Sequence, residues 1–238
     1  MDKTLSDGAG KLWKVELHSH TYYSKDCLTR FERLIRVCQQ RGIDRIAITD
    51  HNTAEGALAL AKRVPDLIIP GEEIMTTQGE ILAFFVRETV PPRLSPAETI
   101  RRLRDQGAVI SVSHPYDRLR KGAWEEADLL KIVPDVDALE VFNSRCLYAE
   151  DNAKALALAQ KHNKPGTVGS DAHIPYELGR ATLLMRPFEG AGDFYEALKR
   201  AKPLTTLSPA WVHLFSSYAK YNRKLGLSRL PVADTGSA

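Results

Sequence analysis

The 238-residue chain has few cysteines and no long apolar run. Its three cysteines, Cys27, Cys38 and Cys146, are odd in number and widely spaced, so a disulfide framework is not expected. No stretch approaches the ~18 uninterrupted apolar residues that a membrane span requires. The polar segment 1–10 lacks the apolar core of a signal peptide. We therefore expect a cytoplasmic protein that has no membrane partner.

Blocks of like charge and glycine-rich phosphate turns are also missing. The formal net charge is +3, a mild excess that fits an anionic substrate. No run of five or six like charges indicates a nucleic-acid arm. No Gly-x-Gly-x-x-Gly turn follows a predicted strand, which disfavours a dinucleotide-binding sheet.

Short apolar runs alternate with longer amphipathic segments along the chain. The predicted strands are 13–17, 45–48, 67–69, 81–86, 108–112, 138–142 and 166–168, and the predicted helices are 29–41, 54–63, 95–106, 148–162 and 209–224. Such alternation is typical of parallel βαβ units, and about seven units favour closure into a barrel. We expect a single-domain α/β barrel over 13–225, with a flexible N-terminal extension at 1–12 and a C-terminal tail at 226–238.

Metal-binding residue types recur at the ends of the predicted strands. Five of the seven histidines (His18, His20, His51, His114 and His173) and three carboxylates (Asp50, Glu73 and Asp171) lie at or shortly after a C-terminal strand end. The loops at that end of a (β/α) barrel converge on one cavity. Alternation along a strand also points the rings of His18 and His20 to the same side. This pattern predicts a shared metal site at the rim.

The mixture of ligand types indicates the kind of metal chemistry. Imidazole and carboxylate without paired cysteines favour Zn, Mn or Fe in an open hydrolytic site. The candidates outnumber the ligands of one ion, so we expect a cluster of two or three divalent ions joined by a carboxylate. Paired ions suit phosphoester hydrolysis, in which a bridging hydroxide attacks phosphorus.

These motifs resemble the PHP superfamily, named for polymerase and histidinol phosphatase. The matching stretches are His18-Ser19-His20-Thr21 with Ser24 and Asp26, Thr49-Asp50-His51, Gly71-Glu72-Glu73, Ser113-His114-Pro115, Glu140-Val141-Phe142-Asn143, and Gly169-Ser170-Asp171-Ala172-His173. The resemblance implies a distorted seven-stranded (β/α) barrel, TIM-like, with metal-dependent phosphoesterase activity.

The resemblance also implies three sets of metal ligands. His18, His20, Glu73 and Asp171 would hold one ion; Glu73 and His114 a second; and Asp26, His51 and His173 a third. Glu73 is preferred to Glu72 because the family's ligand stands two residues after the glycine, and Asp50 is expected to orient His51 or its neighbour.

One position departs from the family's pattern. Many relatives carry a Gly-His pair where this chain has Gly79-Glu80. Glu80 is therefore a candidate carboxylate ligand of the second ion, and a carboxylate there would favour a harder ion such as Mn²⁺. The alternative is an outward-facing residue that begins the fourth strand.

Four further residues are candidates for contacting the substrate. Lys25, Arg145 and Arg180 are the cations nearest the motif loops, and arginine suits a bidentate grip on phosphate. Arg145 is the first choice and Arg180 the second, with solvated surface charge as the alternative for each. Asn143 is a candidate contact to substrate or water, or else a buried strand-end cap.

Several functions remain open at this stage. The expected substrate is a small phosphorylated metabolite, a nucleotide or a short oligonucleotide. An amidohydrolase or lactonase also uses His-x-His on a barrel, although the Thr-Asp-His and Gly-Ser-Asp-Ala-His motifs disfavour it. A non-catalytic metal- or nucleic-acid-binding module is a further alternative, but such a module is expected to have lost some ligands. The pattern leaves the native metal and the oligomeric state open.

Overall fold

The structure is a computed structural model that describes residues 11–228. Within them, one mixed sheet of nine strands bends into a nearly closed barrel with seven α-helices around it, which confirms the α/β barrel fold. The strands are β1 Trp13–Glu16, β2 Arg45–Ile48, β3 Ile68–Met75, β4 Glu80–Phe84, β5 Val109–Val112, β6 Ala138–Asn143, β7 Gly166–Gly169, β8 Ala181–Met185 and β9 Lys202–Thr205. The helices are α1 Phe31–Arg41, α2 Glu55–Arg63, α3 Pro96–Asp105, α4 Glu126–Ile132, α5 Ala149–Lys161, α6 Gly190–Leu198 and α7 Val212–Lys224. Most of the predicted extension and tail, 1–10 and 229–238, lies outside the described residues.

Two strands and two helices were missed by the sequence analysis. The strand order is β7-β6-β5-β4-β3-β2-β1-β8-β9, so β8 and β9 add to the seven expected strands. All four residues of β9 are exposed, and an edge strand of this kind shows no apolar alternation. Helix α4 has only seven residues, and glycines at the start of α6 weaken its helical pattern.

The expectation of purely parallel strands was wrong for part of the sheet. The pairs β1–β2, β2–β3, β5–β6 and β6–β7 are parallel, whereas β3–β4, β4–β5, β1–β8 and β8–β9 are antiparallel. The third strand is also longer than the predicted 67–69, because β3 forms a hairpin with β4. In this hairpin Met75 pairs with Glu80, so the beginning of β4 lies beside the end of β3.

The first seven strands close at one end of the barrel. A parallel bridge joins Ser19 and Ala172, just beyond β1 and β7, and the His20 N–H donates to the Ala172 carbonyl at 2.9 Å. At the other end, Trp13 and Val15 of β1 pair with β8 instead. The barrel is therefore closed where the strands β1 and β7 end and splayed open at the opposite end.

Apolar side chains fill the splayed end. One buried cluster contains residues from each of the strands β1 to β8 and Phe194 of α6. Its members include Val15, Leu17, Leu82 and Phe84. The helices α1 and α2 cover one outer face of the sheet, and α3, α4 and α5 cover another. Polar groups thus collect at the closed end. No helix within residues 11–228 is long and apolar enough to cross a membrane.

Candidate metal centre

Histidine and carboxylate side chains from six strand ends converge at the closed rim of the barrel. The set comprises His18, His20, Asp26, His51, Glu73, Glu80, His114, Asp171 and His173, and all but His51 are buried. The antiparallel hairpin explains the position of Glu80: because β4 runs backwards, its first residue lies at the rim where its neighbours end. Glu80 therefore faces inward, and its outward alternative is wrong.

The four residues proposed for a first ion lie together. The Nε2 atom of His18 is 3.3 Å from Glu73 Oε1 and 3.6 Å from Asp171 Oδ1. The Nε2 atom of His20 is 3.1 Å from Asp171 Oδ1 and 3.6 Å from Glu73 Oε2. The side chains of His18, His20 and Glu73 offer ligand atoms that all lie within 4.8 Å of one another. This arrangement fits a metal site.

Two neighbouring groups extend the cluster. His114 Nε2 lies 3.1 Å from Glu73 Oε1 and 3.5 Å from Glu80 Oε2. On the other side, Asp26 Oδ2 lies 3.5 Å from His51 Nε2, and Asp26 Oδ1 lies 3.4 Å from His173 Nε2. Glu73 stands between the two sides because its Oε2 also lies 2.9 Å from His51 Nδ1.

Buried atoms without hydrogen bonds test whether this cluster fits metal ions. Within residues 11–228, His18 Nε2, Asp26 Oδ1 and Glu73 Oε2 are buried and have no hydrogen-bond partner. Glu73 Oε2 lies 2.9 Å from His51 Nδ1, yet the contact lacks hydrogen-bond geometry. Buried polar atoms are normally paired. Lone pairs that face one another in this way fit coordination of a shared cation.

Glu73 rather than Glu72 faces the cluster. Successive side chains of a strand point to opposite sides, so the carboxylate of Glu72 lies on the far side of β3. There it accepts the Val90 N–H at 2.9 Å, and burial raises the pKa of Glu72 to about 8.

Protonation at the rim depends on the neighbours of each ring. Burial, together with His173 and His51, holds the pKa of His20 well below its usual range, which favours the neutral, ligating imidazole. Burial acts in the same direction on His18, but Glu73 and Glu140 outweigh it and raise the pKa of His18. The pKa of Asp171 is well below its usual range because Arg120 and His18 outweigh the effect of burial.

A second layer of side chains holds the histidines in place. Glu140 Oε1 is 2.9 Å from His18 Nδ1, and its Oε2 accepts the His114 N–H at 2.8 Å. A carboxylate on one ring nitrogen leaves the other nitrogen free for a metal. Asp50 accepts the Ser24 hydroxyl at 2.6 Å, and Ser24 in turn accepts the His51 N–H at 3.0 Å. Asp50 therefore acts on His51 through Ser24.

Two residues of the cluster have an unusual backbone. His114 has φ 22° and Asp171 has φ 52°, in the left-handed region that residues other than glycine rarely adopt. Strain of this kind costs about 1–3 kcal/mol per residue and is typical of functional sites. The strand ends are bent so that these side chains turn into the rim.

Two protein-family models match this chain. The PHP domain model matches residues 16–81, and the PHP-associated model matches residues 149–203. An uncharacterized protein of Methanocaldococcus jannaschii is 40% identical over 176 residues, which cover 71% of this chain and 69% of that protein. A second uncharacterized protein of the same organism is 35% identical over 144 residues, 55% of this chain and 82% of that protein.

The chain belongs to the PHP superfamily. Three solved structures share its fold. PsfC from Pseudomonas syringae has a TM-score of 0.65 at 18% identity, covering 90% of this chain and 99% of that chain. A proposed metal-dependent phosphoesterase of Bifidobacterium adolescentis has a TM-score of 0.57 at 17% identity, covering 68% and 88%. The lesion-specific endonuclease PfuEndoQ of Pyrococcus furiosus has a TM-score of 0.54 at 16% identity, covering 81% and 57%. Family membership and the metal-fitting cluster together support a metal-dependent hydrolase.

The closed rim of the barrel opens into a cavity of about 840 Å³. Loops that follow β1, β2, β4, β5, β6 and β7 line it, together with the end of β3, the beginning of β4 and helix α7. Four of the candidate ligands, Asp26, His51, Glu80 and His173, are among the lining residues, and the other five belong to the same cluster. Among the residues proposed to contact substrate, Lys25 is exposed on its wall. Asn143 is fully buried and does not line the cavity; its side-chain amide donates to Glu140 and Asp171 at 3.2 and 3.3 Å. The strand-end position of Asn143 is therefore structural.

The two arginines proposed to grip phosphate lie in different places. Arg180 is outside the cavity, where its guanidinium contacts the Leu207 carbonyl and lies over the Tyr176 ring at 5.3 Å. The structure thus contradicts its placement at the site, because the β8 strand that follows carries it outward. Arg145 does line the cavity but is only 3% exposed, held by Glu177 at 3.2 Å and Ser216 at 2.8 Å.

Arg120 is a cation at the site that the sequence analysis missed. It lines the cavity, contacts Asp171 directly and pairs with Asp117 Oδ2 at 3.1 Å. Arg120 lies in the loop after β5, six residues beyond His114. The sequence analysis considered only cations next to the motifs, and this separation along the chain placed Arg120 outside them. A cluster of cations in the loop 117–122 was the available signal.

Proposed function

We propose that this protein hydrolyses a phosphomonoester or phosphodiester with two or three divalent ions bound at the barrel rim. The observation that carries the proposal is the cluster itself: it has four buried histidines and four buried carboxylates, and three of these eight residues, Asp26, Glu80 and His173, line an open cavity. Ions bound there would supply hydroxide from water at neutral pH and neutralise charge on the phosphoryl oxygens.

The protein's own groups have separate tasks in this reaction. Glu73 would serve two ions, and the approach of both of its oxygens to histidine nitrogens supports this role. Glu140 holds the His18 ring, and Asp50 acts through Ser24 on the backbone N–H of His51. Arg120, Lys25 and Lys121 line the cavity above the cluster, where cations would orient an anionic substrate.

Water is the proposed nucleophile because the cysteines near the rim are unsuited to attack. Cys27 is buried, its thiol donates to the His173 carbonyl at 3.0 Å, and burial raises the pKa of Cys27 to about 12. Burial likewise raises the pKa of Cys146. A thiol attacks as its thiolate, so hydrolysis in ¹⁸O-labelled water should place one labelled oxygen in each released phosphate. A phosphoenzyme trapped in a quench would contradict this step.

A side-by-side assay tests the reaction class. Protein loaded with Mn²⁺, Zn²⁺ or Fe²⁺ is incubated with p-nitrophenyl phosphate, bis(p-nitrophenyl) phosphate, an aryl amide and an aliphatic lactone. We expect hydrolysis of a phosphate ester only, and its loss in a His20→Ala variant. Faster cleavage of the amide or the lactone would replace the proposal by an amidohydrolase or lactonase. Stoichiometric metal without hydrolysis of any ester would leave only a metal-binding module.

A further inference from the structure

The C-terminal part of the chain is cationic without any balancing acid. From 197 to 233 it carries seven lysines and arginines and no aspartate or glutamate. The rest of the chain contains the other 26 of the 33 lysines and arginines and all 30 aspartates and glutamates, so it is net negative. The excess positive charge belongs to this segment. Local positive charge attracts polyanions even where the whole molecule is nearly neutral.

Helix α7 lies in this segment and is anchored along one face. Val212, Ser216 and Ala219 are buried against the barrel. Arg223 donates to the carbonyl of Cys27 at 2.9 Å and also contacts the carbonyl of Tyr22. The helix is thus fixed beside the loop that carries Asp26, and its remaining faces are left for other contacts.

The outer face of α7 is an exposed row of aromatic and aliphatic side chains. We call this row the α7 ridge; it consists of Trp211, Leu214, Phe215, Tyr218 and Tyr221. Tyr218 is 59% exposed and Tyr221 is 60% exposed. Their spacing of three and four residues places them on one stripe of the helix. Contiguous exposed apolar surface of this kind marks an interaction site.

A cationic edge separates the α7 ridge from the cavity. His213, Ser217 and Lys220 line the cavity, and Lys220 Nζ lies 3.1 Å from Asp26 Oδ2. Lys224 is exposed one turn beyond Lys220 on the same edge. Moving outward from the metal centre, a ligand would meet positive charge first and tyrosine rings next.

We propose that α7 is a binding platform for single-stranded nucleic acid, which makes a short oligonucleotide the substrate of the metal centre. This inference rests on the proposed phosphoesterase function. Backbone phosphates follow the edge of Lys220 and Lys224, and bases stack on Tyr218 and Tyr221. Cations that track a backbone beside aromatic rings that stack bases are the combination used by single-strand binding proteins.

Charge and position favour this ligand over two others. A second copy of the chain would bring two acid-free cationic helices together, and like charges oppose such a contact. An anionic membrane on the same edge would cover the mouth of the cavity. A flexible single strand satisfies the cations and the rings and still delivers a phosphate to the rim.

Binding to a non-hydrolysable probe tests the platform directly. Metal-loaded full-length protein is titrated into a fluorescein-labelled, phosphorothioate-linked DNA of eight nucleotides while anisotropy is recorded. Stacking contributes ~1–3 kcal/mol per base, so Tyr218→Ala/Tyr221→Ala should weaken binding by about 10-fold or more. Tyr218→Phe/Tyr221→Phe keeps the rings and serves as the matched control. Lys224→Ala should lower the slope of log affinity against log salt by about 0.7.

The outcomes separate the platform from the proposed function. An unbound oligonucleotide, or alanine variants that bind as the wild type does, overturns the platform. Preferential binding to vesicles of anionic phospholipid, or a dimer in sedimentation that dissociates in the alanine variant, also overturns it. Hydrolysis of p-nitrophenyl phosphate by the folded alanine variant at the wild-type rate supports a role confined to the oligonucleotide. If no ester is hydrolysed while the oligonucleotide binds through the tyrosines, the phosphoesterase function and the oligonucleotide's role as its substrate are overturned, and the α7 binding platform is supported.

Discussion

Carboxylates at the rim lie closer together than isolated anions tolerate. Glu73 and Glu80 both approach the same nitrogen of His114. Burial raises the pKa of Glu80, and the charge of Glu73 raises it further. A cation between the two side chains would remove this repulsion. The electrostatics of single residues therefore favour bound metal at this end of the barrel.

The role of Glu80 is testable at this scale. Glu80→Gln keeps the shape of the side chain but removes its charge, so it should lower the affinity of the second ion by about 10-fold or more. Metal stoichiometry by mass spectrometry and turnover of an aryl phosphate measure the effect. Glu55→Gln is the matched control because Glu55 lines the same cavity but lies outside the cluster. Unchanged metal content and turnover in Glu80→Gln would remove it from the ligand set.

Arg145 is better placed to position other groups than to grip phosphate. Its guanidinium lies 2.6 Å from His173 Nδ1 and bonds Ser216 of α7. Because Glu177 would be left as an unpaired buried charge, Arg145→Ala should destabilise the fold by about 3–5 kcal/mol. Urea unfolding measures the loss. Arg180→Ala, at a partly exposed cation, should change stability by less than about 1 kcal/mol; equal effects of the two variants would contradict the positioning role.

At the scale of elements, the β3–β4 hairpin and the β1–β7 closure build the rim. Reversal of chain direction at the hairpin returns Glu80 to the end where parallel strands bring their histidines. The closure depends on a close approach at Gly169, where a Cβ atom would lie 2.2 Å from the Cβ of His18. Glycine is needed at this position because two backbones meet there.

Gly169→Ala should therefore disturb both stability and the site. The added methyl group must push β7 away from β1, at a cost of about 1–3 kcal/mol, and it displaces His18. We expect a lower Tm and a lower metal affinity together. Gly192→Ala in α6 meets no atom within 4 Å and should be neutral or stabilising by up to about 1 kcal/mol. A Gly169→Ala protein with wild-type Tm and metal affinity would show that the closure is not required.

At the scale of the whole molecule, the barrel gathers ligands that are up to 155 positions apart in the chain, from His18 to His173. Because the complete ligand set exists only in the folded barrel, folding and metal binding should stabilise one another. Ions that bind only the native state at about 100 times their Kd stabilise it by ~2.7 kcal/mol. For a protein of this size that corresponds to a rise in Tm of about 5–10 °C. Thermal melts with and without chelator measure it, with Asp171→Ala as a control whose Tm should respond less. Equal melts of fully loaded and stripped protein would contradict the coupling.

The seven barrel strands, five of the helices and the rim residues could be predicted from the sequence. Apolar alternation marks a buried strand, and ligand-type residues at its end mark the rim, so His18, His51 and His114 were visible as a pattern. The exposed strand β9 and the short helix α4 carry too little apolar pattern to be recognised. The direction of β4 was invisible for a different reason, since local periodicity is the same in parallel and antiparallel strands.

The amino-acid sequence by itself determined which residues can bind metal and which segments form strands, because side-chain chemistry and apolar periodicity are local properties. Only the tertiary structure decided which of them meet. Chain direction in the sheet turned Glu80 inward, and the path after β7 carried Arg180 away while a loop brought Arg120 in. These outcomes depend on the packing of elements distant along the chain, and no local pattern encodes it.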